Sequence, residues 1–429
     1  MERGVRIGLL GCGNVGAALV RLVHDHAAVI ETRAGVPLEI TRVAVRDLSK
    51  DRGLPIPSSA FTDDPAAVVG DPDIDIVVEV IGGVEPARTL ITEALMAGKP
   101  VVTANKELLA VYGRQLFETA EGAGVDLLFE ASVGGGIPLM RPLRESLAGD
   151  RIRRVMGIVN GTTNYILTRM TQGGDSFDDA LADAQALGFA EPDPTADVEG
   201  FDAAAKAAII ASIAFGARVV STDVYREGIT GITAGDIEAA RDLGYVVKLL
   251  AIAEELDGNV AVRVHPTMVP ERHPLASVHD SFNAVFIEGD AVGELMFYGR
   301  GAGGAPTASA VLGDLVDAAK NVTEGRKGAT IGSLAAKPIL AIDDIASQFY
   351  VHTEVADRPG VLAAIATVFG DHGVSIRSMR QKGIGDDARL IFVTHKAREA
   401  DLRATVLALR DVDAVHQVGA VLRVIGEEE

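Results

Sequence analysis

The sequence holds one cysteine, Cys12, and no tryptophan. One thiol forms no internal disulfide and supplies no cysteine metal cluster. Aromatic residues make up only 4% of the chain, so Ala, Val, Ile and Leu must fill the core, as in helices packed on a sheet. Basic residues are also short: 40 Lys and Arg stand against 60 Asp and Glu, a formal charge of −20. That balance excludes nucleic acid, whose phosphates need a basic face. No apolar run approaches the ~20 residues of a membrane span. The opening MERGVRIGLLGCG runs straight into a strand pattern, leaving no room for a secretory leader. The expectation is a cytoplasmic protein with neither membrane nor nucleic-acid partners.

Glycine is plentiful, at 47 residues, and 429 residues with 48% hydrophobic composition suffice for two or three cores. Residues 5–10 form an apolar run read as a buried parallel strand, and residues 13–23 have helical spacing. Strands at 38–45, 74–80, 100–103 and 126–130 alternate with helices at 86–97 and 106–122. This predicts an α/β, Rossmann-type doubly wound sheet over 1–137, to which a helix near 307–320 (within 301–330) returns. Residues 138–300 read as an α+β domain, with a strand at 152–159, helices at 178–187, 200–215 and 234–254, and β-like runs at 260–269 and 284–288. Residues 331–347 hold no periodic pattern and read as a linker. From 348 to 429 the order is strand, helix, strand, strand, helix, strand, which predicts a separate ferredoxin-like domain.

Gly11-Cys12-Gly13-Asn14-Val15-Gly16 matches GxGxxG, directly after a strand and at the opening of a helix. In that context Gly11 makes the tight turn, Gly13 admits a pyrophosphate and Gly16 lets helix and strand pack closely. The helix N-terminus at Asn14 and Val15 offers free N–H groups to phosphate. The second strand ends in Arg46, not in an acid, which suits a 2′-phosphate and hence NADP, with Lys50 as a second contact. Asp47 follows at once, so a solvated Arg46 and NAD stand as the alternative.

Reducing a carbonyl with a nicotinamide needs a proton donor at the oxygen. There is no zinc motif, and two lysines in apolar stretches draw attention. Lys106 lies where a strand yields to a helix, at the carboxyl edge of the sheet where doubly wound folds bind ligands. Lys206 shares a helix face with Asp202, four residues before it. Spacing alone favours a plain helix ion pair, because such pairs are common. Upstream, the acidic segment Gly188 to Asp197, with Glu191, Asp193 and Asp197, suits a substrate ammonium group or bulk solvent.

The segments VVTANKELLA (101–110), EASVGGGIP (130–138), GIVNGTTN (157–164), GFAEPDPTADVEGFDAAAK (188–206) and FYGRGAGGAPTASAV (297–311) resemble homoserine dehydrogenase, in family order. The resemblance implies interconversion of L-homoserine and L-aspartate 4-semialdehyde with NAD(P), in threonine, methionine and isoleucine biosynthesis. It places the proton donor on Lys206, substrate contacts on Asp202 and Glu191, and a second lysine near substrate and nicotinamide on Lys106. It also implies cofactor contacts at Gly188 and Gly304, and a sodium or potassium site at Glu130, Val133, Gly135 and Ile137. The middle domain would bind substrate and dimerise. The C-terminal unit, with Asp357-Arg358-Pro359-Gly360-Val361, resembles an ACT domain; that implies feedback by L-threonine and a homo-oligomer, dimer or tetramer. A catalytically silent NAD(P)-binding amino-acid sensor and a dehydrogenase of another small amino acid are the competing readings.

Overall fold

Six parallel strands build the first sheet: β1 (Val5–Leu10), β2 (Leu38–Ala44), β3 (Phe61–Thr62), β4 (Ile76–Glu79), β5 (Val101–Thr103) and β6 (Leu127–Leu128). Their order is β3-β2-β1-β4-β5-β6, that of the dinucleotide-binding doubly wound fold. The computed structural model describes residues 3–329, 331–383 and 388–426, so the expected limits at 1, 330 and 429 lie outside the described residues. Strand β4 is buried along its whole length, as its unbroken apolar run requires when helices cover both faces. On one face Leu19, Val20 and Val23 of helix Asn14–Asp25 pack with Val311 and Leu315 of helix Gly304–Thr323 over Ile7 and Val78. The late helix therefore returns to the first sheet. On the other face lie helices Ala87–Met96 and Lys106–Ala123, through Leu90, Ile91, Leu108 and Leu116. Because β1 is flanked by β2 on one side and β4 on the other, the loops leaving β1 and β4 diverge. A crevice opens at their carboxyl ends.

The second sheet contains β7 (Ile152–Ile158), β8 (Tyr225–Arg226), β9 (Tyr245–Leu256), β10 (Asn259–Pro270), β11 (Phe282–Gly289) and β12 (Gly293–Arg300). Its main order is β12-β11-β7-β9-β10, with β8 paired to β10. Helix Phe201–Phe215 buries Ala203, Ala204, Ala207, Ala208 and Ala211, small side chains that bring its axis close to the neighbouring layer.

The C-terminal unit contributes β13 (Ala346–Val355), β14 (Ile376–Lys382), β15 (Arg389–Thr394), the short β16 (Ala397–Arg398) and β17 (Val415–Val424). Its helices are Val361–Asp371 and Glu399–Leu409, with Phe349, Ile365, Phe369, Phe392 and Leu409 in its core. Strand β17 pairs in parallel with β10, Thr267 opposite Arg423 and Met268 opposite Val424. The second and third units consequently share one 11-stranded sheet. Arg423 adds side-chain bonds across the seam, to Glu227 and, at 3.4 Å, to Tyr225, while also gripping Glu399 of its own unit.

Four segments differ from expectation. The helix expected over 234–254 ends at Asp242; Gly244 takes a φ of +79°, and β9 begins at Tyr245. Flanked by β7 and β10 and covered on both faces, β9 needs no polar alternation, and its apolar run imitates a buried helix. Strand β12 and helix Gly161–Gly173 were not foreseen. The stretch read as a linker is held to the second unit: Arg218 N donates to Ala335 O at 2.8 Å, and Leu340 N to Val260 O at 2.9 Å.

Candidate active site

Helix Asn14–Asp25 follows β1 with no side-chain cap on its first turn, which leaves its N–H groups for a ligand. A Cβ on Gly16 would lie 2.3 Å from the Gly11 carbonyl oxygen, so only glycine lets helix and strand approach this closely; beside Gly13 there is open space. Gly304, at the head of the returning helix, packs against the Asn14 carbonyl. These residues form the cradle expected for a dinucleotide. Arg46 is exposed beyond the end of β2. The Asp47 carboxylate accepts from Ser49 N at 2.9 Å and Ser49 Oγ at 2.6 Å, bonds that hold it below the usual carboxylate range.

A cleft of about 680 Å³ opens beside this cradle, between the first and second sheets, lined among others by Val15, Lys106, Asn160, Gly188, Asp202 and Lys206. Lys106 enters it from the first turn of its helix. Asn105 caps that helix through Leu108 N at 3.1 Å, and its amide donates to Gly83 O at 2.7 Å. Behind it, Thr103 Oγ1 donates to the buried Glu79 carboxylate at 2.6 Å. The other oxygen of Glu79 accepts from Ile81 N and Gly82 N, which fixes the loop after β4.

The second unit supplies the facing wall. Lys206 Nζ donates to Asp202 Oδ2 at 2.7 Å and to Val159 O at 2.6 Å. Asp202 Oδ1 lies 3.0 Å from Lys106 Nζ, so one carboxylate is shared by both lysines. Burial alone would raise the Asp202 pKa. Lys206, then Lys106, outweigh burial and hold it well below the usual carboxylate range. For Lys106 burial pulls downward, but Asp202 more than offsets it and the ammonium is favoured. Asn160 donates to Asp202 Oδ2 at 2.9 Å and to Asp197 Oδ1 at 2.6 Å. Burial, aided by the charge of Asp202, raises the pKa of Asp197, against the Asn160 hydrogen bond.

Lys106, Asp202, Lys206 and Gly188 thus meet in one cleft. Glu191 does not join them: it is exposed and outside the residues lining the cleft, with Gln185 Nε2 donating to its carbonyl at 3.1 Å. At the cleft floor Gly134 and Gly135 take φ of +75° and +56°. A Cβ on Gly135 would lie 2.4 Å from Gly301 O, so the glycine-rich strands of chain can cross there. Glu130 is buried, and its carboxylate accepts from the N–H groups of Leu139, Met140 and Arg141. Val133 and Ile137 are buried on either side of the turn. Asp197, at the end of the acidic segment, does line the cleft, whereas Glu79, Asn105 and Asn160 escaped the sequence reading, although Asn105 and Asn160 stand inside motifs that carried the resemblance.

A parallel sheet with a dinucleotide cradle, opening onto a cleft where two lysines share one buried carboxylate, defines a nicotinamide-dependent oxidoreductase. Comparison with known proteins names the family. The family model described as homoserine dehydrogenase matches residues 138–316, its NAD-binding domain matches 11–130, and the ACT domain matches 350–414. The homoserine dehydrogenase of Mycobacterium tuberculosis is 52% identical over 99% of this chain and 98% of its own. The crystal structure of a homoserine dehydrogenase from Thiobacillus denitrificans matches with a TM-score of 0.94 at 42% identity, covering 99% of this chain and 98% of that one. A hyperthermophilic archaeal homoserine dehydrogenase in complex with NADPH matches with a TM-score of 0.62 at 30% identity, over 74% of this chain and 98% of that one. The chain belongs to the homoserine dehydrogenase family. Its two competing readings, silent sensor and dehydrogenase of another amino acid, are set aside. Among the described residues, no helix is long and apolar enough to cross a membrane.

Proposed function

We propose that the cleft interconverts L-aspartate 4-semialdehyde and L-homoserine with Lys206 as the proton carrier. The observation that carries this reading is the hydrogen bonding of Lys206. An ammonium has three protons; Val159 O and Asp202 Oδ2 take two, and the side chain lines the cleft. The third is left for a substrate oxygen. A bound nicotinamide supplies the hydride in reduction and accepts it in oxidation. Lys206 gives its free proton to the carbonyl oxygen during reduction and, when neutral, takes the hydroxyl proton in the reverse direction. Lys106 stays cationic beside Asp202 and holds the substrate's polar end; Glu191 reaches the substrate amino group only if its loop closes over the cleft.

NADP is the preferred cofactor in this reading, held by Gly11, Gly13, Asn14, Val15, Gly16, Gly188 and Gly304, with Arg46 on the 2′-phosphate. The engagement of Asp47 with Ser49 supports it, because that acid is then not offered to a ribose hydroxyl. The NADPH in the archaeal relative points the same way. A sodium or potassium ion fits the carbonyl oxygens of Glu130, Val133, Gly135 and Ile137. The Glu130 carboxylate is committed to backbone amides, and among the described residues no group of three acidic, His or Cys side chains is placed to hold a metal. A monovalent ion on carbonyl oxygens is compatible with both facts. We read the cofactor-binding, substrate and C-terminal domains as expected from sequence but the 335–340 stretch as held to the second unit, the assembly as a homo-oligomer, and the C-terminal unit as a sensor of L-threonine.

The test is L-homoserine-dependent reduction of NADP and of NAD by purified protein, with and without potassium and L-threonine. Turnover favouring NADP, raised by the cation and lowered by threonine, is expected. Folded protein that binds NADP yet turns over no homoserine overturns the assignment.

A further inference from the structure

Asn160 stands in the turn between β7 and helix Gly161–Gly173, only 5% exposed, and both ends of its side chain are engaged. Oδ1 accepts from Thr163 N at 2.9 Å and from Thr163 Oγ1 at 3.0 Å, which caps the helix. The Thr163 N–H demands an acceptor, so the amide cannot be turned round: Nδ2 must face the cleft. There it lies 2.6 Å from Asp197 Oδ1 and 2.9 Å from Asp202 Oδ2. One neutral amide therefore joins two carboxylates that would otherwise repel. The preceding residue, Val159, grips Lys206 through its carbonyl. Two consecutive residues thus fix both members of the Asp202–Lys206 pair.

We propose that Asn160 is a positioning residue of the hydride-transfer reaction, its amide bridging Asp197 and Asp202 so that Asp202 keeps one oxygen on Lys206 and the other on Lys106. The inference rests on the role of Lys206 proposed above. The charged groups facing this amide are Asp197 of helix Thr195–Val198, Asp202 and Lys206 of helix Phe201–Phe215, and Lys106 of helix Lys106–Ala123. Without the bridge, two buried carboxylates share one site and one of them tends to take up a proton. The proton falls to Asp197, whose pKa burial already raises, and Asp202 loses the donor that fixes its orientation between the two lysines.

Substitution by another capping residue separates positioning from capping. Asn160→Asp and Asn160→Ser both retain an oxygen for the helix N–H groups, so the helix cap and NADP affinity should be kept; Asn160→Ser should unfold near wild type, whereas Asn160→Asp, with a third buried carboxylate, should unfold at a lower temperature at pH 8 than at pH 6. Losing hydrogen bonds to a charged partner should lower kcat roughly 10- to 100-fold at pH 8 in both. In Asn160→Asp the deficit should shrink between pH 8 and pH 6, because a protonated carboxyl restores one donor; in Asn160→Ser it should not. Near-normal kcat in both variants, or a deficit in Asn160→Asp that is the same at every pH, would overturn the proposal and leave Asn160 a helix cap. Lys206→Ala is measured alongside. If it is inactive while the Asn160 variants are normal, only the positioning role fails. If Lys206→Ala itself turns over normally, the proton-carrier reading fails and the positioning role falls with it.

Discussion

Lys106 Nζ and Asp202 Oδ1 meet at 3.0 Å although they belong to different units, one at the head of a helix following β5, the other on a helix of the second unit. This ion pair spans the two units and makes Asp202 common to two lysines of different character. Lys106 is 37% exposed at its side chain and is held cationic; Lys206 is 11% exposed and has one proton unclaimed. Lys206→Ala should lower kcat by about 100-fold or more with NADP binding intact. Lys106→Met should chiefly raise KM for homoserine. Stopped-flow turnover with fluorescence titration of NADPH separates the two effects, and near-normal turnover in Lys206→Ala would remove that residue from the chemistry.

Gly13 and Gly16 make a matched pair for testing the cradle. Gly16→Ala drives a methyl to 2.3 Å from a backbone oxygen, whereas Gly13→Ala meets nothing within 4 Å. Gly16→Ala should lose both thermal stability and NADP affinity. Gly13→Ala should keep the unfolding temperature within a few degrees yet bind NADP at least about tenfold more weakly, because its methyl occupies the pyrophosphate's approach. Equal NADP affinity in Gly13→Ala and wild type would place the pyrophosphate elsewhere.

Lys248, buried on β9, donates to Val278 O and, at 3.1 Å, to Asn164 Oδ1. Burial, opposed by Asp280, brings its pKa from 10.5 down to about 8. Between those values the unfolded chain binds more protons than the folded one, so stability rises with pH across that window and is lost again as pH falls through 8. A shift of this size corresponds to about 3 kcal/mol. Unfolding temperatures measured from pH 7.5 to 10.5 should show wild type gaining steadily on Lys248→Met. Parallel curves would assign Lys248 an ordinary pKa.

Arg46 offers the simplest test of cofactor choice. Arg46→Ser should cut kcat/KM for NADP about tenfold or more, as loss of a charge-assisted contact to phosphate does, and leave NAD turnover nearly unchanged. An unaltered NADP-to-NAD ratio would return Arg46 to the solvated surface.

Local chemistry made much of this molecule legible. The GxGxxG motif could be trusted because a buried strand preceded it, and the i,i+4 spacing of Asp202 and Lys206 fixed their common face. Contacts between distant segments were not legible. Asn160 and Asp202 are 42 residues apart, and nothing in either neighbourhood announces the other. The strand β9 was read as helix because a fully covered strand has no alternation to display. Residues 335–340 looked like a linker because their ties to the second unit run through backbone groups, which leave no side-chain pattern. Glu191 shows the converse: its motif is intact, yet in this open cleft its side chain faces solvent.

The parallel pairing of β17 with β10 has a mechanical meaning. Neighbouring strands in a sheet twist together, so β17 cannot rotate without turning β10. Strand β10 is zipped along its length to β9, β9 is paired with β7, and β7 runs on into Val159, whose carbonyl grips Lys206. The C-terminal unit and the segment that holds Lys206 are thus joined by one continuous run of paired strands. Any unit grafted in place of the C-terminal one would have to mesh with β10 in the same register.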